Sequence, residues 1–329
     1  MNDLLQGSPY QGAAVPLVSA YDVDSHTESE FQGVVTQFQK HPGKQLWPWI
    51  FINRIVGTDP ARPSQDPGSP SNKSYFEAIH GMDLSNKTGA LHDFCQLYRF
   101  SLSIAKTLNS PGIIIDPEVY NNYNLYGTSN LATAMGQTVA ETEALLAALG
   151  SKLTDIANAE YPEATIWWLF TGLGESGPNQ VINPASRTVT RIALGMLDRA
   201  KATQSKLKFV TGGEVDAGYC YLSLDDMKQR LTLRQQNYTT VLAQYPELSL
   251  GVTISPWDGS SPRQGWMTQD ICGQSPIQNL DGFKPLFTYM IETYNHVWVY
   301  ADPNAPYNPY EASASSYNVA LSDSFQGIA

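Results

Sequence analysis

The sequence predicts an α/β fold, and within that class a (β/α)8 TIM barrel that is entered at its second strand. Three observations carry this. Seven short apolar runs, at 12–19, 47–56, 112–116, 165–171, 207–211, 248–255 and 296–301, recur along the chain. Helical patterns lie between them, and strands alternating with helices build a parallel sheet. The length of 329 residues is ample for one barrel, which takes about 250. Periodicity alone does not separate a buried strand from a buried helical turn. The alternation decides it.

The elements follow in order. The run at 12–19 comes within about a dozen residues of the amino end, so the barrel's first strand and helix are expected to be missing. After the strand at 47–56, residues 57–90 are rich in Pro, Gly, Ser and Asn and read as a long loop. Leu91, Phe94, Tyr98, Leu102 and Ala105 then recur at three or four residues and define a helix. The run Gly112-Ile-Ile-Ile-Asp116 is the next strand, and 120–137 reads as a second long loop. Thr138-Val-Ala-Glu141 is a capping box opening a helix with Leu146, Leu149, Leu153 and Ile156 on one face. Ser223-Leu-Asp-Asp226 places an N-cap and two acids at the positive end of a later helix dipole. Residues 304–329 read as an irregular tail, and 1–329 as a single catalytic barrel domain. The missing strand leaves an open edge, to be covered by the tail, by residues outside this sequence, or by a partner chain in an oligomer.

Composition removes several classes. Lys and Arg number 20 against 31 Asp and Glu, a net charge of −11. Nucleic-acid binding rests on clustered cations, so no nucleic-acid partner is expected. No run of about 18 apolar residues occurs, so no membrane partner is expected either. The three Cys (95, 220, 272) lack CxxC spacing and the five His show no ligand spacing, so neither a zinc site nor any cofactor is expected. The amino end has no basic region followed by an apolar core, so it is not expected to act as a signal peptide. Few Lys and many Tyr, Asn, Ser and Trp nonetheless suit a secreted or periplasmic protein.

Parallel barrels carry their active sites at the carboxyl ends of the strands. Carboxylates follow six of the seven runs here. Asp116 and Glu118, bridged by Pro117, sit two residues apart and so share a face. Two carboxyls that close cannot both ionise freely, which suits one of them to general-acid work. Glu214 leaves its strand through Gly212-Gly213, where the chain can turn sharply. Asp302 closes the last strand, on which Trp298 and Tyr300 share a face. Trp257 and Asp258 follow the strand before it, Asn53 and Arg54 the second run, and Tyr120 the Asp-Pro-Glu step. Aromatic faces stack on sugar C–H faces and carboxylates bond hydroxyls, so these residues are expected to bind carbohydrate.

Asp116-Pro117-Glu118-Val119-Tyr120, Gly212-Gly213-Glu214 with Tyr219, and Val297-Trp298-Val299-Tyr300-Ala301-Asp302 together resemble a bacterial TIM-barrel glycoside-hydrolase-like group of clan A type. The resemblance implies a polysaccharide- or oligosaccharide-degrading glycosidase. It places Glu118 at the end of the fourth barrel strand as general acid/base, with Glu214 as the second carboxylate, Asp116 as tuner and Asp302 as a further catalytic acid. Tyr120, Trp257, Asp258, Trp298, Tyr300, Asn53 and Arg54 would contact sugar. Two alternatives are a non-catalytic carbohydrate-binding barrel and a metal-dependent sugar lyase or isomerase.

Overall fold

A computed structural model describes residues 10–18, 25–52, 90–117, 127–174, 187–214, 221–254 and 280–299. The element order is β1 (Gly12–Pro16), a 3-10 turn (Glu28–Phe31) running into α1 (Gln32–Phe38), β2 (Gln45–Phe51), α2 (Ala90–Thr107) and β3 (Gly112–Asp116). Then come α3 (Thr128–Met135), α4 (Val139–Glu160), β4 (Thr165–Trp168), α5 (Thr188–Thr203), β5 (Lys208–Thr211) and α6 (Leu224–Gln244). The rest is β6 (Leu248–Leu250), β7 (Val252–Ile254), α7 (Leu280–Thr293) and β8 (Val297–Val299).

All pairings between these strands are parallel, and their order in space is their order in sequence. One sheet runs β1-β2-β3-β4-β5-β6, and β7 pairs with β8. β6 and β7 are the two halves of the single run expected at 248–255. Gly251 between them donates its N–H to Thr211, at 2.9 Å, so the first half stays on β5, and Val252 donates to His296, at 2.9 Å, so the second half turns to β8. Sequential parallel strands alternating with helices are the arrangement of a (β/α)8 barrel, as expected. Among the described residues β1 and β8 each carry a strand ladder on one side only.

Register divides the strand residues into two faces. Side by side lie Trp49, Ile114 and Asp116 with Trp167 and Val210, and Thr253 with Trp298. The opposite face carries Leu46, Ile50, Ile113, Ile115 and Ile166, each fully buried. These join Phe94, Tyr98 and Leu102 of α2, Leu146, Leu149 and Leu153 of α4, and Ile192 and Met196 of α5 in one core cluster. A strand buried on both faces must be apolar throughout, which is why each reads as a continuous run rather than an alternation.

The helix signals hold. Thr138 accepts from Glu141 N–H at 3.2 Å while the Glu141 carboxylate takes the Thr138 N–H at 2.9 Å. Ser223 accepts from Asp226 N–H at 3.0 Å. One stretch differs: 120–137, expected to be loop, contains the two-turn helix α3, ended by Gly136 at φ +65°. The long loop at 57–89 and the tail at 304–329 lie outside the described residues. No helix among the described residues is long and apolar enough to cross a membrane. Cys95 is a buried free thiol, pushed up to about 11 by burial.

Candidate active site

Two of the expected carboxylates are described, and both sit at carboxyl ends of strands, β3 and β5, that flank β4. Asp116 is the last residue of β3, only 1 % exposed, and shares the face of Trp49, Phe51 and Ile114. Its carbonyl accepts from Ile52 N–H at 2.9 Å, which ties the ends of β2 and β3 together.

Glu214 stands just past β5, half-buried. Its placement is set by a break in the ladder. Gly212 donates to Trp168, at 2.7 Å, in regular parallel register. Regular continuation would carry the Glu214 N–H to Phe170. It donates instead to Leu169, at 3.1 Å, because Gly213 turns the chain at φ +81°. The turn is enforced from outside as well: a Cβ on Gly213 would stand 2.9 Å from the Arg234 guanidinium carbon. Gly212 is equally constrained, with the Trp167 indole nitrogen 2.7 Å from the place of its Cβ. β3 and β5 are next-but-one neighbours, about 10 Å apart at backbone level. Carboxyls leaning inward from the two can therefore flank one ligand.

Beneath Glu214 lies a group that sequence reading missed. Arg234 of α6 is 3 % exposed and donates to Gly251 O, at 2.6 Å, and to Thr211 O, at 2.8 Å. It thereby joins the ends of β5 and β6. One helical turn on, Tyr238 stacks under it, 5.4 Å from ring centre to guanidinium carbon. The Tyr238 hydroxyl lies 3.4 Å from Thr171 Oγ1, which itself donates to Thr211 Oγ1 at 3.1 Å. The sequence signal is an Arg and a Tyr at i and i+4 of one helix. Neither the pairing with strand carbonyls nor the burial could be read from it.

The other expected site residues divide between described and not. Trp298 lies in the middle of β8, 9 % exposed, with its ring 5.3 Å from that of Trp49 and nearly perpendicular to it. Asn53, Arg54, Glu118, Tyr120, Trp257, Asp258, Tyr300 and Asp302 lie outside the described residues. Among the described residues no group of three or more His, Cys, Asp or Glu could hold a metal ion.

A second feature lies at the other end of the strands. A cavity of about 510 Å³ is bordered by Gln11, Gln45, Pro111, Asn295 and His296, all at amino-terminal strand ends. Its inner wall is made by Trp47, Trp49, Trp167 and Trp298. Burial, and to a lesser extent the charge of Lys208, hold His296 below the ordinary histidine range.

No family model matches the chain, and no curated protein matches it in sequence. Solved structures match in shape. Endo-glycoceramidase II from Rhodococcus sp., in a cellobiose-like imidazole complex, covers 96 % of this chain and 71 % of its own, at TM-score 0.51 and 11 % identity. The same protein in a five-membered iminocyclitol complex gives TM-score 0.51 at 10 % identity, with the same coverage. At these identities the likeness is one of fold.

Proposed function

We propose that this chain is a glycoside hydrolase that cleaves the glycosidic bonds of an oligo- or polysaccharide with a pair of carboxylates. The observation that carries the reading is the forced turn at Gly213. It delivers Glu214 to the strand-end rim two strands from Asp116, the residue that leads into Glu118. The shared fold supports the reading: the similar structures are of an endo-glycoceramidase, with sugar-like ligands bound.

In this mechanism Glu118 protonates the glycosidic oxygen as the bond to the anomeric carbon breaks. Glu214 attacks that carbon or activates the water that does so. Asp116, buried beside Glu118 in sequence, opposes its ionisation and keeps the proton available. A carboxyl separation of about 5–5.5 Å would make the enzyme retaining, and about 6.5–9.5 Å inverting. Asp302 is held in reserve as a further acid. Tyr120, Trp257, Asp258, Tyr300, Asn53 and Arg54 supply stacking faces and hydroxyl partners around the rim. The reading takes 1–329 as one exported catalytic domain.

The test is a panel of aryl glycosides and natural oligosaccharides with wild type, Glu118→Gln and Glu214→Gln. Each substitution keeps shape and removes a titrating group, so kcat should fall by about 10²–10⁴-fold while sugar binding persists. Azide rescue of Glu214→Ala, which vacates the carboxylate's place, with a net-inverted product would assign the nucleophile. Wild type that binds sugars without hydrolysing any would replace the reading with a binding barrel. Activity abolished by EDTA and indifferent to both substitutions would replace it with a metal-dependent lyase or isomerase.

A further inference from the structure

The first and last strands of the series meet the cavity with their backbones. In parallel strands alternate residues direct their N–H and C=O to opposite sides. Gln11 O accepts from Gln45 N–H, at 3.0 Å, and Leu17 N–H donates to Trp49 O, at 3.2 Å, so the odd residues of β1 face β2. The backbone groups of Gly12 and Ala14 point the other way. His296 O accepts from Val252 N–H, at 2.9 Å, so Val297 and Val299 likewise point away from β7. Gly12, Ala14, Val297 and Val299 all line the cavity of about 510 Å³. Among the described residues neither edge has a further strand beside it.

The cavity also crosses the plane of the sheet. Trp47, Trp49, Trp167 and Trp298 border it from inside the barrel. Val297 and Val299 alternate with Trp298 and so lie on the outer face, where they border it with Phe287 and Ile291 of α7. Two ladder edges on the flanks, the barrel interior on one side and a helix on the other, make a slot shaped and bonded for one more parallel strand. The flanking strands carry the same mark: β3 and β4 are buried at every residue, β1 and β8 only in part. Residues 1–9 adjoin β1 too closely to supply that strand, since a parallel connection takes a dozen residues or more. The stretch after β8 has the length. In it 317–321, Tyr-Asn-Val-Ala-Leu, carry no Pro, Gly or charge, after a segment broken by Pro303, Pro306 and Pro309. They lie outside the described residues. As a strand they would turn Tyr317, Val319 and Leu321 to one face and the smaller Asn318 and Ala320 to the other. The first set suits the apolar outer wall, and the second an interior already holding four indoles.

We propose that residues 317–321 of the same chain fill this slot as a strand parallel to β1 and β8, and so close the barrel. Their N–H and C=O groups pair alternately with Gly12 and Ala14 on one flank and with Val297 and Val299 on the other. Tyr317, Val319 and Leu321 pack outward towards α7. A barrel without hydrolytic activity would be closed in the same way.

Cysteine pairs in the full chain, joined by a short bismaleimide and located by peptide mass mapping, test this. Val297→Cys anchors the outer face and Ala14→Cys the inner. Each is combined in turn with Tyr317→Cys, Asn318→Cys, Val319→Cys, Ala320→Cys and Leu321→Cys. Leu233→Cys, exposed on α6, is the collision control. Val297→Cys should couple to 317, 319 or 321, and Ala14→Cys to 318 or 320, about tenfold or more above the control, because the slot fixes a high effective concentration. The products should be single chains by gel filtration. Should one anchor prevent folding, the other decides. Coupling no better than the control, or at both sets of positions alike, overturns the proposal. So does coupling found only between two chains, which would give the slot to a second copy. The expected couplings in a chain that hydrolyses no sugar would sink the catalytic reading and leave this one standing.

Discussion

Gly213 meets two demands at once, a positive φ and the guanidinium of Arg234 standing where a Cβ would go. The left-handed region costs an L-residue about 1–2 kcal/mol, and the methyl of Gly213→Ala must also displace a buried side chain. Urea denaturation of Gly213→Ala should therefore show a loss of at least about 1 kcal/mol, together with reduced turnover as Glu214 shifts. Unchanged stability would mean that the turn is not built as described. The glycine pair was visible in the sequence, and so was the acid behind it. What enforces the turn was not, because Arg234 lies 21 residues further on and its carbonyl partners belong to two strands. His296 gives a prediction in pH. Its folded pKa lies below 6.5, so the unfolded chain binds the extra proton first. The group's contribution to stability is present above about pH 6.5 and is lost as pH falls through that value. Melting temperature should thus fall more steeply from pH 7.5 to 5 in wild type than in His296→Phe. Parallel curves would show that the ring is not buried in its neutral form.

At the scale of elements, α4 and α5 cross with Gly150 and Gly195 facing each other's backbone. A Cβ on Gly150 would run into the carbonyl of Ile192, and one on Gly195 into that of Ala147. The close approach lets Thr154 donate to Met196 O at 3.0 Å, and brings Arg191 to Glu143 at 2.9 Å and Arg199 to Asp155 at 2.7 Å. Helix propensity alone would make Gly150→Ala stabilising by about 1 kcal/mol. The crossing reverses the sign, and Gly150→Ala should melt lower than wild type by calorimetry; a higher melting point would refute the packing. Elements whose signals are local were legible: the box at Thr138 and Glu141, the cap at Ser223, and the i, i+3, i+4 stripe of α2. Elements whose limits depend on a neighbour were not. Thr128–Met135 carries few large apolar residues, so α3 does not announce itself against the polar stretch before it. The split at Gly251 arises only because β5 and β8 draw the two halves of one apolar run apart.

At the scale of the whole molecule, the described residues form two cores, which gives stability a direction. The larger cluster joins β1 to β5 with the helices α1, α2, α4 and α5, and reaches Leu248 and Trp298. The smaller gathers Val252 and Ile254 of β7 with Met227 and Leu231 of α6 and Phe283, Leu286, Phe287 and Met290 of α7. The division falls at Gly251, where the sheet order also breaks. The fold class was legible because seven apolar runs in a parallel barrel need no partner's register to be recognised. The division was not, since it depends on which side of Gly251 each strand finds its neighbour. Backbone amides open in cooperative units, and those with fewer buried contacts open first. β7, β8 and α7 should therefore exchange hydrogen with solvent well before β3, β4 and β5, whose ladders are filled on both sides and whose outward residues are wholly buried. Hydrogen exchange read by mass spectrometry on peptides from 252–254, 280–299, 112–116 and 165–168 checks this. If all four regions exchange together at the slowest rate, the two clusters form one cooperative unit, and the edge at β8 is held as firmly as the centre of the sheet. If β7 and β8 lead, the cavity wall carrying Trp298 is the part of the barrel most easily reshaped.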